Sequence, residues 1–92
     1  MKATLYKANG ETKMVEPKNG TDFKLRELQE LVGGYIEVLS GLKDNTIMVC
    51  DEEGKLKAKS FNLKATQYMN ESGLFGDVIC GDVVICDSST LK

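Results

Sequence analysis

Carboxylates and cysteines are the first side chains to weigh for chemistry, because the chain contains no histidine. Histidine is the commonest general base and the commonest zinc ligand. A general base or a zinc site in this chain would therefore have to use other side chains. Two carboxylate pairs have a spacing that general acid and base catalysis could use, Glu27 with Glu30 and Asp77 with Asp82. The first pair lies on the polar side of a predicted helix. The second flanks a predicted turn, where aspartate hydrogen-bonds to the backbone. We therefore predict no catalytic residue among them.

The three cysteines, Cys50, Cys80 and Cys86, are an odd number for a disulfide framework. The spacing of Cys80 and Cys86 fits no zinc motif. We predict reduced thiols packed as small hydrophobic groups, with no metal and no cofactor. Serine, lysine and tyrosine are present, but no nucleophile stands at a readable spacing from an activating base. The sequence therefore predicts a protein that is not an enzyme.

The adjacent glycines Gly33 and Gly34 invite comparison with a phosphate-binding loop. Phosphate loops precede a helix and use its N-terminus, whereas these glycines follow a predicted helix. We interpret Gly33 as a left-handed helix stop and Gly34 as a second permissive joint. Gly54 and Gly81 lie in two later turns, and we predict structural roles for all four glycines.

Length and composition favour one domain over residues 1–92, with 41% hydrophobic and 28% charged residues. The net charge of −2 is spread along the chain, which argues against nucleic-acid binding. The N-terminus lacks the apolar region of a signal peptide, and no apolar run approaches the roughly 20 residues of a membrane span. We expect a cytoplasmic protein without a membrane partner.

The spacing of the hydrophobic residues and the positions of the turn residues predict the order of the helices and strands. The pattern LRELQELVGGYIEVL, from Leu25 to Leu39, predicts a helix, a stop at Gly33 and a strand that leaves at once. Thr21 or Asp22 is the predicted helix cap. The other predicted elements are strands at Met1–Ala8, Thr12–Glu16, Thr46–Asp51, Lys55–Lys59 and Val83–Cys86, and a short helix at Leu63–Met69.

These elements predict an α+β fold, a mainly antiparallel sheet of about five to six strands. One principal helix packs on one face of the sheet, and one short helix accompanies it. The Lys55–Lys59 strand would form a solvated edge, with its three lysines on one side and Leu56 and Ala58 on the other.

Tyr35 and Glu37 are the candidate binding residues. They project from one face of the predicted central strand, where burying them without partners would be costly. The alternatives are an ordinary solvent-facing side and a face that a partner subunit or small polar ligand covers. Asn62 and Thr66, at the start of the second helix, could join them as polar contacts. Capping that helix is their alternative role.

Four segments resemble a family of small proteins of unknown function found in bacteriophages and gut-bacterial mobile elements. Residues 28–38 (LQELVGGYIEV) are similar to the family signature, and residues 51–57 (DEEGKLK) to its "NEEGKLK" hairpin. Asn62 with Ala65 and Thr66 is similar to its N-x-x-A-T helix start, and residues 77–84 (DVICGDVV) to its closing strand. The resemblance spans about residues 15 to 88, with a departure at residues 40–42. It implies a phage or mobile-element origin and supplies no catalytic residues.

The expected function is that of a small phage or mobile-element accessory protein without catalytic activity. It would bind or sequester a partner, either a host defence protein or a nucleotide signal, in the host cell cytoplasm. The alternative is an oligomeric structural or interaction module of phage assembly or replication, and a small enzyme ranks last.

Overall fold

The computed structural model describes residues 3–54 and 57–88. The strands are β1 (Ala3–Tyr6), β2 (Thr12–Val15), β3 (Ile36–Leu39), β4 (Thr46–Asp51) and β5 (Val83–Asp87), and the helices are α1 (Leu25–Val32) and α2 (Leu63–Glu71).

The five strands form one antiparallel sheet in the order β2-β1-β5-β4-β3. The hairpin between β1 and β2 closes at Asn9-Gly10, where Gly10 takes a φ of 97°. The last strand of the chain, β5, inserts between β1 and β4, and this leaves β2 and β3 at the two edges. The α+β class and the antiparallel sheet are confirmed, with five strands.

The two helices cover opposite faces of the sheet. On one face α1 packs its buried residues Leu28 and Val32 against Ile47 and Val49 of β4. On the other face α2 packs Ala65 and Met69 in a second core cluster with Met48 and Cys50 of β4 and Val83 and Ile85 of β5. The central strands are buried on both faces, which explains why their sequences, TIMVCD and VVICD, read as continuous apolar runs.

Helix α1 begins later than its predicted cap. Thr21 and Asp22 belong to a polar turn around the side chain of Asn19, and the N-cap is Lys24. The Glu27 carboxylate accepts hydrogen bonds from the backbone N–H groups of Lys18 and Lys24, which lower the pKa of Glu27. The prediction of a cap at Thr21 or Asp22 was wrong. The helix begins after Lys24 instead, and the side chain of Glu27 accepts a hydrogen bond from the N–H of this N-cap residue.

The predicted strand at Lys55–Lys59 is also wrong over the part the structure describes. Residues 57–60 form a turn and an irregular segment, and Ala58 has a φ of 55°. Lys55 and Leu56 lie outside the described residues. The lysines at 57 and 59 do not form a solvated edge, because both turn towards a buried carboxylate described below.

The second helix is nine residues long and extends two residues beyond the predicted range. Its buried residues are Ala65, Thr66 and Met69, whereas Leu63, in the first turn, is 56% exposed.

The stop at Gly33 is confirmed. Gly33 is the C-cap of α1 with φ 80° and ψ 30°, and its N–H donates to the carbonyl of Gln29 at 2.8 Å. A residue with a Cβ is strained in this left-handed conformation. Gly33 thus ends the helix and directs the chain into β3.

Replacing Gly33 by valine should lower the free energy of unfolding by more than about 1 kcal/mol, because valine resists a positive φ. Urea denaturation followed by circular dichroism measures the change. Gly33→Asn is the matched control with a smaller expected loss, since asparagine tolerates the left-handed region. Unchanged stability in Gly33→Val would contradict the role of the left-handed stop.

Candidate functional site

A buried carboxylate at the end of β4 organises one end of the sheet. Asp51 is 5% exposed, and its Oδ2 atom lies 2.6 Å from the Nζ of Lys59 and 3.0 Å from the Nζ of Lys57. Its Oδ1 atom accepts a hydrogen bond of 2.9 Å from the N–H of Glu53. We call Asp51, Lys57 and Lys59 the Asp51 cluster.

Lys59 also connects the Asp51 cluster to helix α1. Its ammonium group donates to the carbonyl of Val32 at 2.8 Å and lies 3.4 Å from the carbonyl of Gly33. The last carbonyls of a helix lack intrahelical partners and carry the negative end of the helix dipole. Lys59 therefore joins the end of α1 to the end of β4.

The four glycines predicted as structural lie around the Asp51 cluster. A Cβ on Gly34 would lie 2.7 Å from Oδ2 of Asp51, and one on Gly33 would lie 3.1 Å from Nζ of Lys59. At Gly54 the obstacle would be the carbonyl oxygen of Cys80 at 2.8 Å, and at Gly81 the Cδ of Lys59 at 2.8 Å. The charged atoms of the Asp51 cluster therefore limit the side chain at Gly33 and Gly34, whereas close packing on the Cys80 backbone and the Lys59 stem limits it at Gly54 and Gly81.

The Asp51 carboxyl is ionised in the folded protein. Burial opposes its ionisation, but hydrogen bonds from Lys59, the Glu53 N–H and Lys57 outweigh burial and lower the pKa of Asp51 to about 2. Such a group remains a carboxylate near neutral pH. Its oxygens hold the two lysines and the turn at Glu53.

A cavity of about 330 Å³ opens next to this end of the sheet. We call it the sheet-edge cavity. Carboxylates enter its lining from Glu37 of β3, from Glu52 in the turn after β4 and from Asp77. No lysine or arginine is among the described residues that line it. The complete described lining is Glu37, Leu39, Cys50, Asp51, Glu52, Gly54, Asp77, Val78, Ile79 and Cys80.

The sheet separates the sheet-edge cavity from the lysines. Along β4, Ile47 and Val49 face α1 and Met48 and Cys50 face α2, so alternation directs the side chain of Asp51 towards α1. Glu37 pairs with Cys50 in the β3–β4 ladder and therefore shares its face. The cavity thus belongs to the α2 side of the sheet.

Cys50 is the nucleophilic group in this lining whose protonation is strongly shifted. Burial raises its pKa to about 11, and the negative charges of Glu37, Asp51 and Asp77 act in the same direction. The thiolate is the reactive form of cysteine, so Cys50 is an inert thiol at neutral pH. Its Sγ lies 3.7 Å from the carbonyl of Glu37, as a weak hydrogen bond across the ladder.

The predicted binding residues separate into two groups. Tyr35 is 67% exposed just before β3, and Glu37 is exposed in the lining of the sheet-edge cavity. Asn62 is 0% exposed, and its amide donates to the carbonyls of Tyr6 and Gly81, both at 2.8 Å. Its Oδ1 atom accepts from the N–H of Ala65, which makes Asn62 the N-cap of α2.

Thr66 works with Asn62 to hold one wall of the cavity. Its hydroxyl donates to the carbonyl of Asn62 at 2.9 Å and accepts from the N–H of Ile79 at 2.9 Å. The N–H of Asn62 donates to the carbonyl of Ile79 at 2.8 Å. Asn62 and Thr66 are therefore bound to the backbone of the cavity wall and do not themselves line the cavity.

Sequence reasoning missed the Asp51 cluster. An aspartate that ends an apolar strand needs a positive partner if it is buried, and lysines follow at alternate positions in KLKAK. An aspartate at the end of an apolar strand, followed by alternating lysines, could have indicated this ion-pair cluster. Asp77 was considered as an acid–base pair with Asp82 and as a turn residue, and no sequence pattern indicates that it lines a cavity with Glu37.

Residues 3–54 and 57–88 contain neither a candidate metal site nor a candidate membrane-spanning helix. No cluster of three or more cysteine and carboxylate side chains there could hold a metal ion. Neither α1 nor α2 has the length and apolar character that a membrane crossing requires.

Replacing Asp51 by asparagine should lower the free energy of unfolding by about 2–3 kcal/mol, because two ammonium groups lose their shared counter-charge. The value lies below that for a fully buried pair, since the side chain of Lys57 is 39% exposed. Urea denaturation near neutral pH measures it. The matched control is Asp44→Asn, an exposed aspartate, with an expected change within about 0.5 kcal/mol.

Acidification should remove the stabilisation that the ion pairs of Asp51 give the wild-type protein. The folded-state pKa of Asp51 is about 2, below its ordinary value, so the unfolded chain takes up the proton first. The stabilisation is complete above about pH 4 and is lost as the pH falls towards 2. The stability difference between wild type and Asp51→Asn should therefore narrow between neutral pH and about pH 2.5. A constant difference would contradict the ionised state of Asp51.

Cys50 should resist alkylation. At about pH 7.5, iodoacetamide should modify it on the order of 100-fold more slowly in the native protein than in the urea-unfolded chain, because so little thiolate is present. Mass spectrometry of tryptic peptides distinguishes Cys50 from Cys80 and Cys86. Equal rates in the folded and unfolded chains would refute the raised pKa.

No curated protein and no solved structure matches the chain significantly. A family described as Domain of unknown function (DUF3846) matches residues 1–90, and this agrees with the resemblance as far as a family of unknown function. Because the match covers nearly the entire chain, the protein belongs to the DUF3846 family.

Proposed function

We propose that the protein is a non-catalytic binding protein, encoded by bacteriophages or bacterial mobile elements, that binds a host protein at the β3 end of its sheet. The observation that carries this proposal is the sheet-edge cavity, which combines apolar and acidic lining and opens at an edge strand. Exposed Tyr35 lies immediately before that strand. A concave surface with a few polar groups beside an exposed aromatic residue suits recognition of another molecule.

The charge of the cavity favours a protein over a nucleotide signal as the partner. Glu37 and Glu52 contribute carboxylates, and the described lining supplies no basic group for a phosphate. Nucleotide phosphates would meet repulsion at this surface. A protein segment can instead offer amino or guanidinium groups, which carboxylates bind through charge-assisted hydrogen bonds.

The chemistry of the lining supports binding rather than catalysis. The chain contains no histidine, and burial keeps the Cys50 thiol protonated. The strongly ionised Asp51 is held by two lysines and a backbone N–H. These features are typical of a binding surface. We propose that the protein acts in the cytoplasm of the host cell.

An oligomeric module of phage assembly is the second candidate, and the edge position of β3 is the observation that favours it. An edge strand can pair with the same strand of a second copy. Light scattering coupled to size-exclusion chromatography separates the two proposals. A stable dimer or larger assembly would favour the second, and a monomer at tens of micromolar would favour the first.

Photo-crosslinking in bacteria that express the protein tests the first proposal. A benzophenone amino acid at Tyr35 should give a discrete adduct with one host protein, whereas the same group at Met14 should not. Met14 is a matched control because it is 59% exposed on β2, at the opposite edge of the sheet. Identical adduct patterns at the two positions, or none at either, would overturn the proposal.

Tyr35→Ala should weaken this interaction while leaving the unfolding free energy within about 0.5 kcal/mol of the wild type, because the ring is largely exposed. Thermal or urea denaturation of the purified variant measures stability. A crosslinker at Glu52 in the Tyr35→Ala background measures binding. A large loss of stability would assign Tyr35 to the fold instead.

A further inference from the structure

Strand β3 exposes a row of backbone hydrogen-bonding groups along its outer side. The carbonyl of Tyr35 accepts from the N–H of Glu52 at 2.8 Å, which makes these two residues a hydrogen-bonded pair with β4. Antiparallel pairing alternates, so Glu37 is the next residue bonded to β4 and Ile36 and Val38 direct their N–H and C=O groups outwards. These outward groups are a template for one more strand.

The sheet-edge cavity lies on the face that such a strand would share with Glu37. Residues directly opposite each other in an antiparallel pair project to the same face. A side chain opposite Glu37 would therefore lie on the side of the carboxylates of Glu37 and Glu52. Charge complementarity selects a lysine or arginine for that position.

Apolar contacts are available on either side of this position. Leu39 is half-buried and lines the cavity, and the exposed ring of Tyr35 lies two residues before Glu37. In an alternating segment, lysines two residues before and after the central one would lie opposite these groups, where their apolar stems pack on Leu39 and the Tyr35 ring. On the other face, Val38 is 39% exposed and offers an apolar neighbour. The fitting segment therefore alternates basic and apolar residues.

We propose that an extended segment of the partner adds to β3 as a sixth strand and places a lysine or arginine opposite Glu37, in the sheet-edge cavity. The inference rests on the proposed function, since it names how the host protein is held. Backbone pairing supplies affinity, and the acidic cavity fixes the register of the added strand.

Titration of the isotope-labelled protein with synthetic octapeptides, followed by amide NMR shifts, tests this proposal. The first probe alternates lysine and valine. The second has the same composition but four valines followed by four lysines, so its charge is equal and its alternation is lost. The third alternates lysine and valine with N-methylated valine amides, which removes the donors that would face Ile36 and Val38.

The alternating peptide should shift the amides of residues 36–39 and bind at least about tenfold more tightly than the other two peptides. Glu37→Lys should lose at least about tenfold in affinity for it. The matched control is Glu16→Lys, which makes the same charge change at an exposed position just after β2, at the opposite edge. It should bind as the wild type does. Amide spectra of both variants report that they remain folded.

Equal affinity for the three peptides, or equal losses in Glu37→Lys and Glu16→Lys, would overturn the proposal by reducing the binding to general charge attraction. Shifts confined to another part of the sheet would also overturn it. Protection of residues 36–39 from deuterium exchange that grows with protein concentration alone would assign this edge to a second copy. If the Tyr35 crosslink forms but no peptide binds at β3, strand addition fails and the proposed function stands. If the crosslink also fails, both strand addition and the proposed function are refuted.

Discussion

The buried carboxylate of Asp51 is the constraint on which this end of the molecule depends. A charge removed from water is costly unless ionic and hydrogen-bonding partners replace the water. Lys59, Lys57 and the N–H of Glu53 do so within 3.0 Å. The partners come from the turn after β4 and the segment that leads to α2. Their positions are therefore fixed by Asp51 rather than by apolar packing.

The same constraint explains where small residues are needed. The ammonium group of Lys59 reaches the last carbonyls of α1, which brings the helix end against the lysines and the carboxylate. Gly34 leaves the space that the carboxylate fills, and Gly81 leaves the space beside the Lys59 stem. Gly33 supplies the left-handed turn that brings the chain from α1 into β3. The helix stop and the charge cluster are thus parts of one arrangement.

Local patterns in the sequence predict much of the fold. The Leu25–Leu39 stretch predicts the helix and its stop because a 3.6-residue period followed by glycine has few other interpretations. The apolar runs at Thr46–Asp51 and Val83–Cys86 likewise predict β4 and most of β5. The strand order and the placement of the two helices on opposite faces depend on distant contacts that no short pattern encodes.

Long-range contacts decide what several polar side chains of the sequence do. The alternating lysines of KLKAK fit a solvated edge strand when viewed alone, but a long-range ion pair with Asp51 draws Lys57 and Lys59 inwards. Asn62 and Thr66 were candidates for binding or for capping. The side chain of Asn62 bonds to the backbone of Tyr6, Gly81 and Ala65, and that of Thr66 to the backbone of Asn62 and Ile79. A polar side chain near a surface loop gives no sign in the sequence of whether its partner is a ligand or the chain itself. Glu37 was a candidate because it alternates with apolar neighbours in a strand, and it lies in the lining of the sheet-edge cavity.

The two faces of the sheet meet opposite electrostatic conditions at this end. On the α1 side, two lysines surround one carboxylate and the helix end closes over them. On the α2 side, Asn62 and Thr66 bond to the backbone of Ile79, and residues 77–80 line the sheet-edge cavity together with Glu37 and Leu39 of β3. The ion pairs with Asp51 hold both lysines on the α1 side, and neither lysine is in the described lining of the cavity. In the binding that we propose, the charge pairing on the α1 side leaves the carboxylates on the α2 side to attract a basic partner, and this links the fold to the proposed function.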